Sequence, residues 1–343
     1  MSEDTRPLTL RAKTPTDLLA MVPCMLGFHP VRSVVLMTLG SGPDRFHARV
    51  DLPDRPEDMD AAVGQILDVV RRGRVGRAVL VVYTDDAELA EAAASTVEAG
   101  LDEAGVELVE AIRTDGSRWY SLSGCTGPCC PADGTPYDIS GHPFLAQAVL
   151  QGRVMLSSRE ELAASLVGND DAVDAVERAA GAAGERMVAA GRHHFGQPAA
   201  DGARRHLVQE GHWVEQRVGR FLADRAPLSD EEVGRLLVAL VSIQVRDVAW
   251  ASMTHDNAGA QVDLWRDVVR RCPDALLAPP AALLGFAAWL NGNGALAWCA
   301  VDRAHLADPD YSLAGLLAQA LAAGVRPSTW QPLERDMLTL FAG

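Results

Sequence analysis

Residues 78–112, AVLVVYTDDAELAEAAASTVEAGLDEAGVELVEAI, decide the fold class. The first six, 78–83, are the most hydrophobic strand-length run in the chain. They give way at Thr84, Asp85 and Asp86 to an alanine-rich segment. Asp85, with Glu88 three residues on, makes a capping-box-like start for a helix reaching Ala104. Residues 106–112 then return to strand character. Strand, helix and strand in so short a span form a βαβ unit, whose crossover is expected to be right-handed and whose sheet is at least partly parallel.

Working outward toward the N-terminus, residues 33–39 (SVVLMTL) are a continuous apolar run of strand length, and 45–52 (RFHARVDL) alternate with period two. The intervening GSGPD supplies turn residues, so the pair reads as a hairpin with the first strand central and the second more exposed. Met59, Val63, Ile66, Leu67 and Val70 mark a helical stripe between this hairpin and the βαβ unit. Before it, residues 8–12 suit a short strand, and Thr16 suits the cap of a helix that Pro23 should kink or restart. Residues 119–122 form a last short strand. The expectation is an α/β N-terminal domain, residues 1–140, with a mixed, partly parallel sheet that ends in a cysteine-rich loop.

Beyond Tyr137 helical patterns dominate. Residues 143–150 form one helix, and Ser158 with Glu161, and Ser229 with Glu232, are capping boxes opening two more. Residues 232–253 are apolar around most of a helical circumference and read as one central buried helix. RHHFGQP, carrying His193 and His194, reads as a loop. Residues 141–343 are therefore expected to form an all-α C-terminal domain.

The composition bounds the function. A chain of 343 residues with 48% hydrophobic content can bury a large core and is long enough for two domains. Its net charge of -15 repels phosphate backbones, so no nucleic-acid partner is expected. Nothing approaches the ~20 apolar residues of a membrane span, and the N-terminus lacks the apolar run of a signal peptide. A cytoplasmic protein with reduced thiols follows as the expectation. Cys24, Cys272 and Cys299 then read as small core residues.

The other three cysteines lie together in residues 119–137, WYSLSGCTGPCCPADGTPY. Thiolates at short spacing can hold a soft cation such as zinc, since several anionic donors reach one ion with little chain strain. Cys125, Cys129 and Cys130 would supply three ligands and His142 the fourth. A reactive thiol, with Cys129 or Cys130 as nucleophile, is a second reading. Plain packing of a tight loop is the third and the preferred one, with the sulfurs buried and at most one accessible.

His29, in the turn GFHP, has acid–base chemistry near neutral pH. Asp51 and Asp85 stand at strand C-termini, where open α/β sheets place ligand groups, although capping explains Asp85 better. No phosphate-binding loop, dinucleotide fingerprint or GxSxG elbow is present, and no cofactor is expected.

Two resemblances complete the reading. The segment PCMLGFHPVRSVVLM followed by RVDLP, the loop WYSLSGC to CCPADGTPYD, and the run AAWLNGNGALAWCAVDRAHLADPDYSLAGLL together resemble the domain-of-unknown-function 4192 family, found mainly in actinobacteria. That likeness implies no catalytic residue. Residues 281–320 are similar to one tetratricopeptide-type unit, with helices either side of NGNG and small residues Ala287, Ala297, Ala300 and Ala304 at packing positions. The C-terminal domain is thus expected to show tetratricopeptide-like helical hairpin packing. A binding protein with a protein or peptide partner is the leading functional expectation. The alternative is an enzyme with an interdomain pocket that uses a cysteine nucleophile or a cysteine-bound metal.

Overall fold

A computed structural model describes residues 11–39, 46–73, 75–125, 127–150, 155–192 and 199–341. The expected strand at 8–12 falls largely outside these residues, as do the GSGPD turn and the loop carrying His193 and His194. The chain divides into two compact units, one running to Glu161 with Ala322–Gly324, the other comprising Leu162–Leu321 and Val325–Gly343.

The first unit opens with α1 (Pro15–Leu26). Its N-cap is Thr14 rather than Thr16, because Thr14 accepts from the Asp17 N–H while Asp17 accepts from the Thr14 N–H, a reciprocal box that Thr16 has no acidic partner to build. The helix runs through Pro23 and closes one turn later at Gly27, whose φ of 80° lies in the left-handed region open to glycine. The proline lacks the N–H that would donate to the Leu19 carbonyl, so the helix forgoes one hydrogen bond there.

β1 (Ser33–Leu39) and β2 (His47–Asp51) form the expected hairpin, the first buried along nearly its whole length and the second half-exposed. α2 (Met59–Arg72), β3 (Arg77–Tyr83), α3 (Ala87–Glu103) and β4 (Glu107–Thr114) follow, then β5 (Arg118–Ser121) and the two-residue β6 (Thr135–Pro136). The sheet order is β2-β1-β3-β4-β5-β6, with β3 and β4 parallel and every other neighbour antiparallel.

One face of the sheet, through Val34, Leu36, Leu80 and Val82, packs on Met59, Val63 and Leu67 of α2 and Leu89, Ala93 and Val97 of α3. Val35, Met37, Val79 and Val81 on the other face are also buried. A strand covered on both faces cannot alternate, which is why β1 and β3 read as unbroken apolar runs. α4 (Pro143–Leu150) belongs to this unit, packing through Leu145 and Ala148 on Cys24 of α1. That contact carries the unit past residue 140, where the sequence placed the division.

After α5 (Arg159–Ala164) come α6 (Asp170–Arg192), α7 (Ala199–Asp224), α8 (Asp230–Leu240), α9 (Ile243–Ala251), α10 (Ala258–Arg270), α11 (Ala278–Leu290), α12 (Gly294–Ala307) and α13 (Ser312–Ala322). The single helix expected over 232–253 is two. It breaks at Val241–Ser242, where Ser242 turns extended with ψ 118°. The two halves have different neighbours, since α8 packs on α6 and α9 on α7. The most buried helix is instead α11, with 12 of its 13 residues buried. It turns back at Gly292, φ 76°, into α12, which Asn293 caps by accepting from the Leu296 N–H.

Candidate metal centre

The cysteine loop hangs between β5 and β6 and is tied to the sheet at both ends. Leu122 N–H donates to Ala111 O at 2.8 Å, and Ser123 Oγ accepts from Ala111 N–H at 3.0 Å. At the far end Trp119 pairs with Thr135, and Arg118 Nη1 donates to the carbonyls of Asp133 (2.9 Å) and Gly134 (2.7 Å). Gly134, at φ 74°, has no room for a side chain, since a Cβ there would stand 2.5 Å from the Tyr120 ring. Tyr120 is itself fixed by the Arg113 guanidinium 3.7 Å from its ring centroid and by donating to Asp115. Burial would raise the Asp115 carboxyl, but hydrogen bonds from Arg118, Ser117 and Tyr120 outweigh it and hold Asp115 well below the usual carboxylate range. The loop thus rests on a frame that is ordered before any ligand arrives.

On that frame the three sulfurs converge. Cys125 Sγ lies 3.6 Å from Cys129 Sγ, Cys130 Sγ lies 3.8 Å from Cys129 Sγ, and all three fall within 4.8 Å of one another. Zinc–thiolate bonds of about 2.3 Å at tetrahedral angles require sulfurs about 3.8 Å apart. Gly127 lies beneath them, where an added Cβ would sit 3.5 Å from Cys129 Sγ and 3.9 Å from Cys125 Sγ.

The preferred expectation of buried sulfurs is overturned, because Cys125 and Cys129 are exposed and Cys130 is half-buried. Leu122 packs on the sheet core, and residues 123–134, rich in glycine and proline, offer no large apolar side chain to cover them. The electrostatics are asymmetric. Hydrogen bonds from the Gly127 N–H, then from the Cys130 and Cys129 thiols, pull Cys125 below the ordinary thiol range. Donation to Cys125, aided by desolvation, pushes Cys130 up to about 12. Of these two, Cys125 is the sulfur whose anion the loop favours, and Cys130 the one whose proton is held more tightly.

His142 is not part of this cluster. Its Nε2 lies 3.0 Å from Asp17 Oδ1 and its Nδ1 accepts from the Phe144 N–H at 3.2 Å, so both ring nitrogens serve the α1–α4 contact. Asp85 is exposed and its backbone carbonyl accepts from Arg113 Nη1; the cap of α3 is the next residue, Asp86, which accepts from the Leu89 N–H. His29 and Asp51, by contrast, line one cleft together with Arg32, Arg49 and Arg159. The sequence did not single out these arginines. The period-two pattern of β2 puts Arg49 and Asp51 on one face, and that was the one signal available.

Residues 15–328 match a family model, and the chain belongs to that family, Domain of unknown function (DUF4192). No curated protein and no solved structure matches the chain. Among the described residues no helix is long and apolar enough to cross a membrane.

Proposed function

We propose that the protein binds a soft divalent cation, zinc, through Cys125, Cys129 and Cys130. The observation that carries this reading is the sulfur spacing of 3.6 and 3.8 Å, the edge length of a tetrahedral thiolate site, on a loop anchored at both ends. Three thiolates leave one position of such a site for a water or an incoming ligand. That is the pattern of zinc sites that act on, or are completed by, a second molecule. Cys125, Cys129 and Cys130 would hold the ion as thiolates, and Cys125 is the one whose anion the loop already favours.

The test is metal analysis of protein purified under reducing conditions without chelator or a nickel column, followed by cobalt titration of the metal-free form. One equivalent of metal, a thiolate-to-cobalt charge-transfer band, and proton release on binding are expected. Cys129→Ser should remove the band while leaving the helical signal unchanged, since the residue is exposed. Sub-stoichiometric metal together with no cobalt band would rule the site out. Fast alkylation of Cys125 that zinc does not slow would favour the reactive-thiol reading instead.

A further inference from the structure

A second feature of the first unit lies away from the cysteines. A cleft of about 320 Å³, within the range of small-molecule sites, is built by three segments: the turn after α1, the end of β2 and the start of α5. The turn is stitched in place. His29 N–H donates to Leu156 O and Leu156 N–H to Gly27 O, both at 2.9 Å, and Leu52 N–H donates to Arg32 O at 2.8 Å. Arg32 is held at φ 42°, a left-handed conformation that a long side chain adopts only when its surroundings impose it, and such strain gathers at binding sites.

Three guanidinium groups, from Arg32, Arg49 and Arg159, share the lining with two carboxylates, Asp51 and Glu160. The lining residues hold one more cation than anion, in a protein whose net charge is -15, and Asp54 just outside them offsets Arg32. Arg49 is the fixed member. Its side chain is 13% exposed, its Nε donates to Ser33 Oγ at 2.9 Å, Ser33 Oγ donates onward to Val31 O, and its Nη2 lies 2.6 Å from Asp51. Arg32 is the movable one. It pairs with Asp54, whose side chain is 92% exposed, and so solvated a pair is weak enough for a ligand to displace.

The register adds a topological argument. Ser33 pairs with Asp51 on one side and with Tyr83 on the other, and Tyr83 pairs with Thr114. The cleft therefore stands at the end of the sheet where β2 and the parallel pair β3 and β4 finish, the end at which open α/β sheets receive ligands. Ser121 pairs with Ile112, inside β4, and the Ser123 hydroxyl reaches Ala111, so the chain enters the cysteine loop toward the opposite end.

We infer that this cleft binds a small metabolite through a phosphate or carboxylate group, received by the guanidinium groups of Arg32, Arg49 and Arg159 over a floor that includes Phe28 and Leu52. Nothing in this inference depends on the cysteine site.

Titration calorimetry of the full chain, with inorganic phosphate and separately with succinate as probes, tests it. One of the two anions is expected to bind at 1:1 with a Kd on the order of 1 mM. A preference for phosphate assigns a phosphate ester, and a preference for succinate a carboxylate. Arg32→Gln should weaken binding roughly tenfold at unchanged Tm. Asp54→Asn, which frees Arg32 without touching the cleft, should tighten binding by about threefold, a gain that a merely structural arginine would not give. Failure of both anions to bind below about 20 mM, or equal binding by wild type and Arg32→Gln, overturns the inference.

Discussion

In the first unit α2 and α3 meet side chain to side chain over a sheet, in the second α8 and α6 meet main chain to main chain, and glycine marks the difference. A Cβ on Gly100 of α3 would first meet the Leu67 side chain of α2, with the nearest methyl at 2.5 Å. A Cβ on Gly234 of α8 would meet the backbone of α6, at 2.6 Å from Ala180 N and 2.7 Å from Ala179 C, and one on Gly168 would fall on the Arg270 carbonyl. Leu67 belongs to α2, so α3 meets there a side chain that can turn aside, whereas α8 meets the main chain of α6, which cannot. The same residue type is thus a tolerance at Gly100 and a requirement at Gly168 and Gly234.

The largest expected effect follows from that contrast. Gly168→Ala should cost about 3 kcal/mol or more and Gly234→Ala about 2 kcal/mol, because the overlap with backbone can be relieved only by moving a whole element. Urea unfolding read by far-UV circular dichroism checks both, and a loss below ~0.5 kcal/mol in either would break the comparison. Gly100→Ala should cost under about 1 kcal/mol, as the helix-propensity gain of nearly 1 kcal/mol offsets the turn of Leu67 to a new rotamer. A loss equal to that of Gly234→Ala would show that side chain and main chain resist alike.

A pH-dependent effect belongs to the first unit, at the Thr14–Asp17 box. Burial raises Asp17, but hydrogen bonds from the Lys13 N–H, His142 and Thr14 more than compensate and lower it below the usual carboxylate value. A carboxyl held low by the fold contributes stability above its unfolded value of about 4, and that contribution is lost as the pH falls through the folded value. Asp17→Asn should therefore cost about 1 kcal/mol near pH 7, and its deficit relative to wild type should shrink below about pH 4. A deficit that grows on acidification would contradict the sign.

Legibility differed in the same way. The βαβ unit and the β1–β2 hairpin were readable because burial on both faces writes an unbroken apolar run, and half-burial writes alternation. The break between α8 and α9 was not readable. No glycine or proline stands at Val241–Ser242, and only the separate partners α6 and α7 call for it. Caps slipped by a residue or two where neighbouring side chains are chemically equivalent. Asp85 and Asp86 can both accept from a helix N-terminus, and the position of α3 in the fold gives that role to Asp86.

The candidate sites divide along the same line. Residue type and local spacing by themselves determined that Cys125, Cys129 and Cys130 share a loop rich in glycine and proline, that His29 sits in a turn, and that Asp51 ends a strand. Only the tertiary structure decided that the three sulfurs meet at the surface, that His142 turns to Asp17, 125 residues away, and that His29 and Asp51 share a cleft with three arginines. The reason is physical. Hydrophobic periodicity and capping act over a few residues and are written locally, whereas the meeting of side chains from distant segments depends on strand register and helix packing, which exist only once the chain is folded.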